Sequence, residues 1–297
     1  MPQWSELAGG VIHDIGYRRY AGPRLGRAHA VLALYAHGLR GAFGLGRPIR
    51  SKLVPVGLLA LTCAPAIISA AITVVVPVPV PLLPYAHYPY YVQVPIVMFV
   101  AAQAPQLVTS DLRFGTLTLY LARPLRRSDY VWARLASLTT AVLVVIGLPL
   151  AVLYAAALLT QVHSAADAVH ESGRFLAGLG GAIVGALLLS ALALAVSALT
   201  RVRAFAIVAV MAVYLVTSAV VAIVQGIASG FTLTLASAAG VLTPFQLLDG
   251  FGVWAFRARP LLSIVPGTVG WAYGLATGAV VLAAMAALHG RYRRVRS

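Results

Sequence analysis

The sequence predicts an all-α membrane protein with six transmembrane helices, and three observations lead to this fold class. The 297 residues are 61% hydrophobic and only 10% charged, with a mean hydropathy of +0.91. A water-soluble domain of this composition would expose a large apolar surface. Several uninterrupted apolar runs reach the roughly 20 residues that a helix needs to cross a bilayer. The charged residues are concentrated between these runs, as expected for loops at a membrane surface.

The apolar runs divide the chain into three regions. Residues 1–52 form a cytoplasmic N-terminal segment, residues 53–289 the transmembrane domain, and residues 290–297 a basic cytoplasmic tail. The predicted spans are Leu53–Val76, Tyr91–Thr109, Tyr130–Thr160, Phe175–Leu199, Ala204–Ala228 and Gly267–His289.

The basic residues orient the chain, because Lys and Arg are retained on the cytoplasmic side of a membrane. Of the 22 in this sequence, only Arg174, Arg257 and Arg259 fall outside one alternating set of loops and termini. Both termini are therefore predicted to be cytoplasmic. Lys52 is the only lysine, and such a preference for arginine is typical of GC-rich bacterial genomes. We expect a multi-pass protein of a bacterial cytoplasmic membrane.

The N-terminal segment contains a candidate interfacial amphipathic helix. Val31, Leu32, Tyr35, Leu39 and Phe43 recur at helical spacing, and nearby arginines suit the phosphate headgroups of lipids. A surface helix packed on the bundle is the alternative, since one apolar stripe does not distinguish lipid from protein. Because the basic residues are confined to loops, membrane lipid is the expected partner and nucleic acid is not.

The two longest connections on the opposite side differ in composition. Between the first two spans, four prolines within residues 77–84 alternate with Val and Leu, which predicts an extended loop because proline disfavours a helix. Residues 229–266, between spans five and six, are too interrupted for a span and too apolar for a solvated loop. Short broken helices that re-enter the outer leaflet fit this stretch, and a packed outer cap is the alternative.

The connection between the second and third spans carries the strongest functional signal. Phe114, Leu117 and Leu121 fall on one helical face, and Pro124 ends the element. A short amphipathic helix held at the cytoplasmic surface between two spans is suited to transmit motion from a soluble partner. A solvated basic loop is the general alternative.

This connection resembles the coupling segment of type-two ATP-binding-cassette exporter permeases. Those permeases typically carry Gly-Thr-Leu, then Arg-Pro or Ser-Pro followed by a basic residue, and this chain has Gly115-Thr116-Leu117, Arg123-Pro124 and Arg127. The layout of an interfacial helix, six spans and broken outer helices is similar as well. The family often has acidic residues on both sides of Gly-Thr-Leu, whereas here Asp111 precedes it and Thr118 follows.

The resemblance implies the permease subunit of an ATP-driven exporter, with a coupling helix within residues 111–127 that docks into a separate ATPase subunit. The complex would contain two permeases, identical or homologous, and two ATPases. ATP and Mg²⁺ would bind to the ATPase, and no cofactor is expected in this chain. The implied docking residues are Arg113, Phe114, Gly115, Thr116, Leu117, Arg123, Pro124 and Arg127.

The sequence also constrains the chemistry of the chain itself. Lys52 is not in a P-loop, so this chain does not hydrolyse ATP by that route. The predicted spans contain no acidic residue, which disfavours coupling to protons or sodium. Neither a zinc-protease motif nor a serine-nucleophile motif is present, so we expect no catalytic residues. A membrane-embedded enzyme and an assembly protein without an ATPase are the alternatives.

Two further groups of polar residues are candidate sites. His163, Asp167, His170 and Glu171 are spaced to share a helix face, but loops rich in His and acid are usually only solvated, so we predict no metal site. Polar positions within the spans are candidates to line a substrate path, with interhelical hydrogen bonding as the alternative. They are Gln103, Gln106, Tyr214, Thr217 and Gln225.

Overall fold

The computed structural model describes the chain as a bundle of helices. It describes residues 26–76, 83–114, 125–200, 202–228, 238–258, 260–261 and 270–293, and no strand occurs in these ranges. A 3-10 turn, Tyr85–His87, precedes α3. The α-helices are α1 (Arg27–Ala42), α2 (Ile49–Val75), α3 (Tyr88–Tyr91), α4 (Gln93–Phe114), α5 (Arg127–Thr160), α6 (Ala165–Ser197), α7 (Arg203–Ala228), α8 (Pro244–Phe256) and α9 (Gly270–Arg293).

Five of these helices, α2, α5, α6, α7 and α9, are long and apolar enough to cross a membrane. The segment Tyr85–Tyr91 and the helix that follows it provide a sixth span if the two are taken together, although they are bent by 67°. For the described residues, the prediction of an all-helical fold with several helices long and apolar enough to span a membrane is thereby confirmed. By length and composition, the described residues contain five or six spans.

A proline explains the bend between α3 and α4, and a buried tyrosine fixes the position of α3. Pro95 lies in the first turn of α4 and has no N–H to donate to the carbonyl of Tyr91, so the helix is interrupted between α3 and α4. Tyr88 is fully buried, and its hydroxyl donates to the carbonyl of Thr62 in α2. The short α3 is therefore anchored to the bundle at an angle to α4.

Helix α6 begins ten residues before the predicted span, at Ala165 rather than at Phe175. Ser164 and Asp167 form a capping box, in which the Ser164 hydroxyl accepts from the Asp167 N–H at 3.2 Å and the Asp167 carboxylate accepts from the Ser164 N–H at 3.0 Å. Hydropathy marks the apolar part of a helix and misses a polar first turn of this kind. As a result, Glu171 lies within a candidate span, near its end.

Hydrogen bonds between distant residues identify one end of the bundle, which we call the basic end. Here Arg27 forms a bidentate ion pair with Asp129, at 2.6 and 2.7 Å. Arg127 Nη1 donates to the carbonyl of Arg293 at 3.1 Å, and Arg291 Nε to that of Ala198 at 3.2 Å. The start of α1 and the end of α9 therefore lie at the same end of the molecule.

Helix α1 forms as predicted and packs against α5 and α4. Its buried residues are Leu34, Gly38 and Ala42, and Ser137 Oγ donates to the carbonyl of Tyr35 at 2.9 Å. The buried face is thus offset from the apolar stripe seen in the sequence. Leu32 is 61% exposed, so part of that stripe faces away from the bundle.

Within residues 229–266, the longest described helix is α8, which packs on α6 and α9, and residues 238–240 are also helical. Thr243 precedes it, and Pro244 occupies its first position, where proline is favoured because the N–H there has no partner in the helix. A short helix in this stretch is confirmed. Residues 229–237, 259 and 262–269, where further short helices were expected, lie outside the described residues.

Two pairs of glycines have the GxxxG spacing that is typical of close helix contacts. They are Gly181 and Gly185 in α6, and Gly274 and Gly278 in α9. A Cβ atom at Gly185 would lie 3.0 Å from Leu248, and one at Gly274 would lie 2.8 Å from Trp254. At Gly181 and Gly278, by contrast, a Cβ atom would meet nothing within 4 Å. One glycine of each pair is therefore at a contact, and the other borders open space.

Candidate functional site

The predicted docking segment falls mostly outside the described residues. The backbone of Arg113 and Phe114 forms the end of α4, and Arg127 is the first residue of α5. The helix ends that flank the segment are both at the basic end, since Thr109 Oγ1 donates to the carbonyl of Ser197 at 3.3 Å. The predicted docking residues outside the described ranges are Gly115, Thr116, Leu117, Arg123 and Pro124.

Two of the five candidate substrate-path residues lie in α4. Gln103 is 4% exposed. Gln106 Nε2 donates to the carbonyl of Gly41 at 3.1 Å, and its Oε1 accepts from Arg203 at 3.4 Å. Gln106 thus connects α1, α4 and α7 near the basic end.

The other three candidates lie in α7. Tyr214 donates to the carbonyl of Leu189 at 3.2 Å, and Thr217 Oγ1 bonds to the carbonyl of Val213 in its own helix at 2.6 Å. Gln225 exchanges two amide hydrogen bonds with Gln246 of α8, at 2.7 and 3.1 Å. None of the five candidates lines the cavity of about 900 Å³ that lies between residues 84–90, α6 and α8. Four of them make hydrogen bonds within or between helices.

A cavity of about 900 Å³, which we call the distal cavity, lies away from the basic end. It is lined by residues 84–90, Ile146 of α5, residues 169–185 of α6 and residues 245–258. The lining residues of α6 run from Val169 to Gly185, a length of about 24 Å at 1.5 Å per residue. The cavity is elongated along α6, and its volume is that of a small-molecule site.

A buried carboxylate connects two walls of this cavity. Tyr85 donates to Glu171 Oε1 at 2.5 Å, and Arg174 Nη1 donates to Glu171 Oε2 at 3.1 Å. Glu171 is only 6% exposed, and a buried charge is stable only when it is paired and hydrogen-bonded. The cluster therefore holds the 3-10 turn before α3 against α6.

A second polar pair connects residues 84–90 to α8. His87 Nε2 lies 3.5 Å from Asp249 Oδ1, and the N–H of Leu261 donates to Asp249 Oδ2 at 3.2 Å. Burial raises the pKa of Asp249, and the Leu261 N–H and His87 offset this only in part. The carboxyl group thus keeps its proton to a higher pH than in the unfolded chain.

Replacing Asp249 with asparagine should change how stability depends on pH. In the wild type the folded state binds the Asp249 proton more tightly than the unfolded state, so stability should fall as pH rises above about 4 through the folded-state pKa. The Asp249→Asn variant has no proton to lose there, and its thermal midpoint in detergent should fall less over that range. Parallel midpoint profiles for the two proteins would contradict the assignment.

The acidic residues that are spaced like metal ligands after His163 have other roles. Asp167 caps α6, and Glu171 bonds to Tyr85 and Arg174. Among the described residues, no group of three or more His, Cys, Asp or Glu side chains is arranged to hold a metal ion.

Sequence reasoning did not identify the distal cavity. The sequence feature that could have indicated the cavity is a row of small residues along one side of α6. The row includes Gly173, Ala177, Gly181 and Gly185, all of which line the cavity. Sequence spacing relates Glu171 only to His163, Asp167 and His170, and no local pattern relates Glu171 or Asp249 to a cavity. No family model matches the sequence, and no curated protein matches it significantly.

Proposed function

We propose that this chain is the membrane-spanning permease subunit of an ATP-driven exporter in a bacterial cytoplasmic membrane. Both termini and the segment 111–127 face the cytoplasm, and that segment docks into a separate ATPase subunit. The observation that carries the proposal is the pattern Gly115-Thr116-Leu117 followed by Arg123-Pro124, in a connection between two spans. ATP and Mg²⁺ bind to the ATPase.

The helices that flank the docking segment have contacts suited to transmitting its motion. At the start of α5, Asp129 pairs with Arg27 of α1 and Arg127 bonds to the end of α9. At the next residue of the same helix, the rings of Tyr130 and Tyr292 lie 5.2 Å apart. A displacement of the start of α5 would therefore act directly on α1 and α9.

The positions of the acidic residues favour an external ATPase over ion coupling. Asp129 lies in the first turn of α5 and is paired with Arg27. Glu171 lies in the first turns of α6 and is paired with Arg174. Ion-coupled carriers usually place such groups deep within their spans, and the central turns of the described spans contain no Asp or Glu.

The proposed complex includes a second permease, identical or homologous to the first. Helices α2 and α7 are the least buried candidate spans, with 22% and 17% of their most apolar windows buried. Their exposed apolar side chains are available to lipid or to that second subunit.

Affinity purification in mild detergent tests the docking segment. The wild type should co-purify with a P-loop ATPase, and Gly115→Arg and Leu117→Arg should each reduce its recovery at least tenfold, since a buried unpaired charge opposes docking. Leu45→Arg is the matched control. Leu45 is 55% exposed in the connection between α1 and α2, outside the segment, and the substitution should leave recovery unchanged.

Two outcomes would count against the proposal in different ways. Unchanged recovery with Gly115→Arg and Leu117→Arg would contradict the docking assignment alone. Absence of any ATPase from the wild-type preparation, with the protein intact and monodisperse, would favour a membrane-embedded enzyme or an assembly protein.

A further inference from the structure

We propose that the distal cavity binds an amphiphile with one acyl chain and an anionic headgroup. This ligand site is independent of the transport proposal, and it follows from the shape of the cavity and from the distribution of polarity and charge along it. A cavity of about 900 Å³ that extends along α6 matches an elongated ligand better than a compact one.

Polarity changes from one end of the distal cavity to the other. The deep part is lined by Ile146, Ala182, Phe245 and Leu248. Small residues of α6, among them Gly181, leave the adjoining wall without protruding side chains. An acyl chain from the bilayer is already out of water, so its binding here depends on how well it packs against these walls.

The other end of the distal cavity carries basic side chains. His170, Arg174 and Arg257 line it. Arg174 is already paired with Glu171. Among the described residues, no side chain pairs with Arg257 or His170.

The acidic groups nearby are turned to other partners. Glu171 accepts from Tyr85 and Arg174 and is not among the lining residues. Asp249 lines the cavity, but it is buried, close to His87, and accepts from the N–H of Leu261. The guanidinium of Arg257 is therefore left to contact a headgroup, and arginine suits the oxygens of a phosphate or carboxylate.

Backbone geometry holds Arg257 at this position. It follows the last residue of α8 in the left-handed conformation, with φ of 51°, and the N–H of Ala258 donates to the carbonyl of Gly252 at 3.3 Å. This turn ends the helix at the cavity, so that Arg257 lines its wall.

Photolabelling with a lysolipid tests the site directly. The probe is lysophosphatidylglycerol with a photoreactive group in its chain, added to the protein in nanodiscs of phosphatidylcholine. Labelled peptides should map to α6 and α8, at residues 169–185 and 245–257. A lysophosphatidylcholine probe with the same chain should label these peptides about tenfold less, because it lacks the net negative charge.

Two substitutions separate the roles of the chain and the headgroup. Gly181→Leu should reduce labelling by both probes, since a side chain there enters the cavity without meeting a protein atom at Cβ. Arg257→Gln should lower lysophosphatidylglycerol labelling towards the lysophosphatidylcholine level. Gly278→Leu, which also extends from a helix into open space but outside the cavity, should leave labelling unchanged.

Several results would overturn the proposal. Wild-type labelling of α6 and α8 in a folded, monodisperse Gly181→Leu protein would show that the chain does not occupy the cavity. Equal labelling by the two probes would remove the anionic headgroup from the assignment. Competition by glycerol phosphate as strong as by unlabelled lysophosphatidylglycerol would identify a site for a free anion. ATPase recovery is measured separately, so failure here leaves the transport proposal untouched.

Discussion

Replacing Gly178 with alanine should destabilise the folded protein by about 1–3 kcal/mol, the usual cost of overpacking a helix contact. A Cβ atom at Gly178 would lie 2.5 Å from Tyr85 Cβ and 3.5 Å from Tyr85 Cα. These Tyr85 atoms do not move when its side chain rotates, so the backbone before α3 must shift. The shift would weaken the hydrogen bond from Tyr85 to Glu171 and leave that buried carboxylate with Arg174 as its main partner.

The sign of this effect depends on two opposing contributions. An alanine in place of a helical glycine otherwise stabilises a helix by up to about 1 kcal/mol. At Gly178 the steric cost should exceed this gain. Gly181→Ala, in the next turn of α6, adds a Cβ that meets nothing within 4 Å, so it should be neutral or slightly stabilising.

Thermal unfolding in mild detergent measures the difference between these two variants. For a chain of this size, each kcal/mol corresponds to about 2–4 °C in the midpoint. Gly178→Ala should unfold several degrees below the wild type, and Gly181→Ala should not. Equal midpoints for the two variants would contradict the close contact between α6 and the turn before α3.

Replacing Gly38 with alanine should have an effect of similar size at the other end of the molecule. A Cβ at this position would lie 2.6 Å from Ser137 Oγ and 2.9 Å from Ser137 Cβ. Because Ser137 is fully buried in α5, α1 must move away from α5 to accept the added methyl group. We expect a loss of about 1–3 kcal/mol and a weaker bond from Ser137 Oγ to the Tyr35 carbonyl.

Gly41→Ala is the matched control, since a Cβ at Gly41 meets nothing within 4 Å. Hydrogen exchange provides a second measurement that is specific to α1. Amide protons of α1 should exchange faster in Gly38→Ala than in Gly41→Ala, while those in the middle of α6 should be unaffected. If amide protons in all helices exchanged faster to the same extent, the substitution would have destabilised the whole protein. That result would contradict the expected separation of α1 from α5.

Hydropathy and helical spacing were sufficient for the fold class. Lipid imposes its constraint on each span separately, so long apolar runs predict spans without knowledge of how the helices pack. The helix before the first span was predicted from Val31, Tyr35 and Leu39 in the same way. The buried face of α1 differs from the predicted apolar stripe because it is determined by packing against α5. In that contact, Gly38 lies against Ser137.

Other features could not be predicted, because they depend on contacts between residues far apart in the sequence. The Tyr85, Glu171 and Arg174 cluster joins residues far apart in the sequence, and neither half is distinctive alone. The distal cavity is lined by four separate parts of the chain. In contrast, the docking segment was predicted from a short contiguous motif, and its core, residues 115–124, lies outside the described residues.

Site-specific photocrosslinking in intact cells tests the docking of this segment most directly. A photoreactive amino acid at Leu117 should form an adduct with a P-loop ATPase subunit. The same group at Val169, which is 75% exposed beside the distal cavity, should form no ATPase adduct. An ATPase adduct at Leu117 alone is the result we predict. Its absence at Leu117, or adducts of equal yield at both positions, would contradict the role of a permease coupled to an ATPase through residues 111–127.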